Sequence, residues 1–142
     1  MSDQNVRDAM VREPTTLADT ASAQEAGRGF ADNPEVRALF VCTVDGTLVG
    51  VITRKTLVRE VVAAGLDPTA VRLRDIAEPP VFTLDASLPL DLAFRLVEER
   101  DLERVPVVEE GRLVGVLSRA VVRRRLAEDE PPEETGDEAV LL

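Results

Sequence analysis

Two short stretches hold the residues best placed to do chemistry. Thr53-Arg54-Lys55-Thr56 and Ser118-Arg119-Ala120-Val121 each set a hydroxyl beside an arginine, 65 positions apart and directly after an apolar run. A hydroxyl in that place can cap a helix. The unsatisfied N–H groups of a helix start, with a guanidinium beside them, can also hold an anion. Both readings fit these residues. Nucleophilic catalysis does not, because the chain has no histidine and therefore no Ser-His or Cys-His pair and no imidazole metal ligand. The single cysteine, Cys42, lies in the apolar run ALFVCTV as a buried strand residue would. The residues require no cofactor, and they point to a binding or regulatory module rather than an enzyme.

Each hydroxyl-arginine pair closes a longer repetition. Residues 46–57 (GTLVGVITRKTL) and 111–122 (GRLVGVLSRAVV) share six of twelve residues, including two glycines and the arginine. Upstream the echo runs at a spacing of 67, with Arg7-Asp8 matching Arg74-Asp75 and Thr16-Leu17 matching Thr83-Leu84. Two residues are thus extra in the first copy, and the loop-like GRGFADNP at 27–34 is the expected place for them. Two copies of roughly 60 residues predict a duplicated unit with pseudo-two-fold symmetry and not a solenoid.

Each copy reads β-α-β-β-α after a short helical lead at 6–10 or 73–77. Thr20 and Ser87 are the expected N-caps of the first long helix, and the first copy's version, carrying Gly27 and Gly29, is expected to be shorter or broken. Hairpins follow, 39–44 to 48–52 through Asp45-Gly46 and 105–108 to 113–117 through Glu110-Gly111. A three-stranded unit with helices on one face cannot close a core alone. The expected fold is therefore α/β, two β-α-β-β-α repeats, about 5–65 and about 71–127, packed with pseudo-two-fold symmetry.

Of the 27 acids, seven fall in residues 128–142, which contain no base, leaving 20 acids against 17 bases in the rest. That balance, with no Trp or Tyr, argues against sequence-independent nucleic-acid binding. Arg123-Arg124-Arg125 suits a helix end, where cations complement the dipole. The acidic, proline-containing 128–142 is expected to be a disordered tail. No leader-like start and no apolar run near the ~20 residues of a membrane span are found, which points to a cytoplasmic protein without membrane contact.

In this order and spacing the motifs resemble the tandem cystathionine-β-synthase (CBS) domain pair, or Bateman module. The resemblance rests on Val6-Arg7-Asp8-Ala9-Met10, on Val105-Pro106-Val107-Val108, and on G-x-L-x-G-h-h-[ST] at 46–53 and again at 111–118. It implies two sheets with clefts between the copies, which in many members take adenosine nucleotides or S-adenosyl ligands, and association into homodimers. The ligand positions it implies are Thr16, Val41, Thr53, Arg54 and Thr56 in the first copy. In the second they are Thr83, Val105, Pro106, Ser118, Arg119 and Val121. The family pattern [ST]-x-x-D carries an Asp that accepts the ribose hydroxyls. Thr56 and Val121 stand in its two places here, so AMP, ADP, ATP or S-adenosylmethionine is expected to bind weakly. The rival expectation is a ligand-free module that dimerises or serves an unknown protein partner.

Overall fold

The computed structural model describes residues 4–12 and 15–129. The chain runs α1 (Val6–Ala9), β1 (Val11–Arg12), β2 (Thr16–Ala18), α2 (Ala23–Asp32), β3 (Ala38–Cys42), β4 (Leu48–Thr53) and α3 (Arg54–Leu57). A π-helical turn (Val58–Val62) continues α3, and α4 (Leu73–Ile76), β5 (Leu84–Asp85), α5 (Leu90–Glu99), β6 (Arg104–Glu109), β7 (Arg112–Ser118) and α6 (Arg119–Asp129) follow. One sheet has the order β2-β3-β4 and the other β1-β7-β6-β5. Within each, the strand before the long helix pairs parallel to the middle strand, which forms an antiparallel hairpin with the next. The expected α/β architecture of two repeats is present. Helix α6 extends through Asp129, and the tail expected to begin at residue 128 otherwise lies outside the described residues.

The leading segments of the two copies are exchanged. Val6 N–H donates to the Leu88 carbonyl at 2.9 Å, and its counterpart Leu73 N–H donates to the Ala21 carbonyl at 2.9 Å. Accordingly Val6, Ala9 and Met10 join the core of the second repeat with Leu84, Leu90 and Leu117. Leu73 joins the first repeat's core with Phe30, Val41 and Ile52. Beyond the helices the exchanged chain continues onto the far repeat's sheet. Val11 pairs with Val116, and Glu78 N–H and C=O bond to Val51 at 2.9 and 2.8 Å.

This crossing explains the repeated glycine. A Cβ at Gly50 would stand 2.6 Å from the Glu78 carbonyl oxygen, and one at Gly115 would stand 2.8 Å from the Val11 carbonyl oxygen and 2.6 Å from Met10 Sδ. No other residue lets the exchanged backbone lie this close. The turn glycines meet across the pseudo-two-fold axis. Leu48 N–H donates to the Gly111 carbonyl at 3.1 Å, and Leu113 N–H to the Gly46 carbonyl at 3.0 Å.

Four expectations need correction. Helix α2 is neither shortened nor broken: it has ten residues, like α5, because Ala23, Ala26 and Phe30 supply a buried face that outweighs the propensity of two glycines. The two extra residues are consequently not together in 27–34. Strand registers place one in the loop between α2 and β3 and the other in the hairpin, where Cys42 pairs with Leu48 while Val108 pairs with Leu113. The cap of α2 is Ser22, not Thr20, through a box in which Ser22 Oγ accepts from Glu25 N–H and Glu25 accepts from Ser22 N–H. Ser87 does not cap α5; its hydroxyl donates to Asp85 at 2.6 Å. Cys42 is buried as expected, and burial pushes its thiol pKa up, toward the unreactive protonated form.

Candidate functional site

Strand alternation decides which residues face the space between the repeats. In β3 and β4, Leu39, Val41 and Ile52 point into the helix-covered core, so Phe40, Val51 and Thr53 are left for the opposite face. In β6 and β7 the same alternation gives that face Pro106 and Val116. A cleft of about 710 Å³ lies there and is lined by both repeats. Its walls are equivalent cross-strand pairs, Phe40 with Val51 and Pro106 with Val116. The exchanged segments extend each wall by one rung. Glu78 follows Val51, whereas Val11 follows Val116.

The repeated arginines hold the loops at the rim of this cleft. Arg54 donates to the carbonyls of Val36 at 2.6 Å, Phe30 at 3.1 Å, Pro34 at 3.2 Å and Asn33 at 3.3 Å, and its guanidinium stacks 4.7 Å from the Phe30 ring centroid. Arg119 donates to Glu103 and to Asp101, the latter at 3.2 Å, while its backbone N–H bonds the Glu103 carbonyl at 2.8 Å. The bond to Glu103 raises the Arg119 pKa above its ordinary value. Each arginine thus fastens the loop before the middle strand of its own repeat. Arg37 ends the first of those loops and Arg104 opens β6 after the second, both exposed and both at the cleft. Neither side chain has a hydrogen bond or ion pair among the described residues.

Of the residues implied by the resemblance, Thr53, Val105 and Pro106 line the cleft. Thr53 caps α3 in a box with Thr56, whose hydroxyl is fully buried, lies 2.9 Å from Thr53 Oγ1 and donates to Glu78 Oε2 at 3.4 Å. Val41 lies wholly in the core, Thr16 is exposed on β2, and Thr83 is half-buried just before β5. Ser118 Oγ accepts from Val121 N–H at 3.4 Å, a cap without a reciprocal partner because Val121 has no polar group to return. Arg54, Thr56, Ser118, Arg119 and Val121 stand behind the lining, not in it. Sequence reasoning missed Phe40, Val51 and Val116, which alternation could have found. It also missed Arg37 and Arg104, whose signal was one arginine at or before each middle strand. Glu78 left no signal, since its place depends on the crossing of the chain.

A paired β-α-β-β-α unit with one cleft shared by two sheets defines a tandem CBS module. Residues 6–63 and 73–128 each match the CBS domain family, and the chain belongs to that family. It is 33% identical over 109 residues to hypoxic response protein 1 of Mycobacterium tuberculosis, covering 77% of this chain and 73% of that protein. The crystal structure of hypoxic response protein I with two coordinated zinc ions is similar at 29% identity and a TM-score of 0.72, over 86% of this chain and 98% of that one. The structure of CBSX2 in complex with AMP is similar at 25% identity and a TM-score of 0.68, over 87% and 96%. No helix among the described residues is long and apolar enough to cross a membrane.

Proposed function

We propose that the protein is a cytoplasmic regulatory module, not an enzyme, whose central cleft takes up an adenine nucleotide and changes the pairing of its two repeats. The observation that carries this reading is a cleft of about 710 Å³ with apolar walls and an unpaired arginine from each repeat at its edge. Apolar walls suit a purine face, and two guanidiniums suit a phosphate. The AMP held by the CBSX2 neighbour supports the choice of ligand. Zinc is left out of the reading, because the chain has no histidine and no group of His, Cys, Asp and Glu among the described residues could hold a metal ion.

Isothermal titration with AMP, adenosine and S-adenosylmethionine tests it. Wild type should bind AMP weakly, and Arg37→Ala and Arg104→Ala should each weaken AMP about tenfold, the lower end expected for an exposed charge-assisted bond, with little effect on adenosine. Equal losses for both ligands would remove the arginines from phosphate binding. No heat with any ligand would leave the ligand-free module as the better reading.

Self-association belongs to the same proposal. Val58, Val62 and Leu66 are 58%, 71% and 51% exposed, beside an open groove of about 440 Å³ lined by Ala23, Gly27 and Ala31 of α2. In the second repeat Phe94 stands at the position of Gly27 and packs against the core, so that face carries less bare apolar surface. Light scattering at micromolar concentration should report about twice 15.5 kDa, and Val62→Glu should lower it to one chain. A monomeric wild type would refute the association.

A further inference from the structure

The two halves of the cleft are not chemically equivalent, although the repeat that builds them is. Each wall ends on a residue of the exchanged segment, Glu78 in the first half and Val11 in the second. Three contacts hold Glu78 in place: its backbone bonds Val51, and its Oε2 accepts from the Arg59 guanidinium and from Thr56 Oγ1 at 3.4 Å. Oε1 has no partner among the described residues, and the side chain is 47% exposed. A carboxylate fixed through one oxygen leaves the other as a positioned, acceptor-only group. The other cleft acids are less suited. The Glu103 side chain is held by Arg119 alone and is 74% exposed, and Glu35 is exposed and has no hydrogen bond or ion pair among the described residues.

We propose that Glu78 is the hydroxyl-recognising residue of the cleft, accepting from a vicinal diol of the ligand, so that one ligand binds per chain with its sugar in the first repeat's half. This rests on the nucleotide reading above. At the matching end of the second wall Val11 offers no acceptor, and behind it Val121 has no hydroxyl where the first repeat has Thr56. The first wall therefore ends in an acceptor for the sugar, and the second ends in an apolar residue.

The test compares adenosine with 2′,3′-dideoxyadenosine by titration calorimetry on the full chain. Wild type should bind one adenosine per chain about tenfold or more tightly than the dideoxy compound, the range of one hydrogen bond to a charged acceptor. Glu78→Gln should bring the two ligands to within about threefold of each other, because the amide loses the charge and keeps the shape. Glu35→Gln removes a charge from the same cleft at a position without a fixed partner, so it should keep the preference and control for the loss of charge, with folding of both variants checked by thermal melts. A preference that survives in Glu78→Gln, or two equivalent ligands per chain, overturns the assignment while leaving the nucleotide reading intact. Failure of wild type to bind adenosine or AMP overturns both.

Discussion

Leu73→Ala is expected to destabilise the whole chain by about 2–5 kcal/mol, the usual cost of emptying a fully buried leucine site. For a chain of this size that is a fall of about 3 °C or more in Tm per kcal/mol. Leu73 belongs to the second copy in sequence but to the core of the first in space, where it meets Phe30, Val41 and Ile52 and is 0% exposed. The melt should stay a single transition that moves as one, since Val6 and Met10 make the reverse connection. Val44→Ala, at a fully exposed valine of the same repeat, should change stability by no more than about 0.5 kcal/mol. Two separate transitions in Leu73→Ala, of which one is unshifted, would show that the repeats are independent and that the exchange does not couple them.

Gly50→Ala should cost about 1–3 kcal/mol, as overpacking does, although it adds a single methyl group. The colliding atom is the Glu78 carbonyl oxygen, part of a backbone ladder and not the movable end of a side chain. Gly111→Ala is the informative comparison. Its φ of +82° strains an L residue, but nothing lies within 4 Å of the added carbon, so about 1 kcal/mol of backbone strain is all it should show. Chemical denaturation of the two variants separates collision from strain. A milder effect at position 50 than at 111 would mean that the crossing strand yields easily. The same collision displaces Glu78, so Gly50→Ala should also weaken adenosine more than Gly111→Ala does.

The repeat was legible because each copy carries the same period changes in the same order, and the α/β architecture follows from them. The crossing of the leading helices was not legible. Residues 6–10 and 73–77 have the same pattern whichever core they enter, and only the length and direction of the intervening chain select the partner. The caps show a similar limit: Thr20 and Ser22 are both acceptable first residues, and the decision fell to Glu25, placed to complete a box with Ser22. At the site, the hydroxyl-arginine pairs were the most visible chemistry and are mainly architectural. Arg54 and Arg119 fasten loops, while the less conspicuous Arg37 and Arg104, where those loops meet the middle strands, line the cleft. Spacing reveals that a residue recurs; its hydrogen-bond partners reveal what the recurrence is for.

The exchanged helices also set an order of events during synthesis. As the nascent chain emerges, α1 appears before the surface it packs on, which is built from residues 84 to 122. Val6, Ala9 and Met10 must therefore wait, unburied, while the first repeat assembles around them. That repeat in turn completes its core only when Leu73 has left the ribosome. The docking of α1 joins Val6, Ala9 and Met10 to a surface that begins at Leu84, a long-range closure that is intrinsically slow.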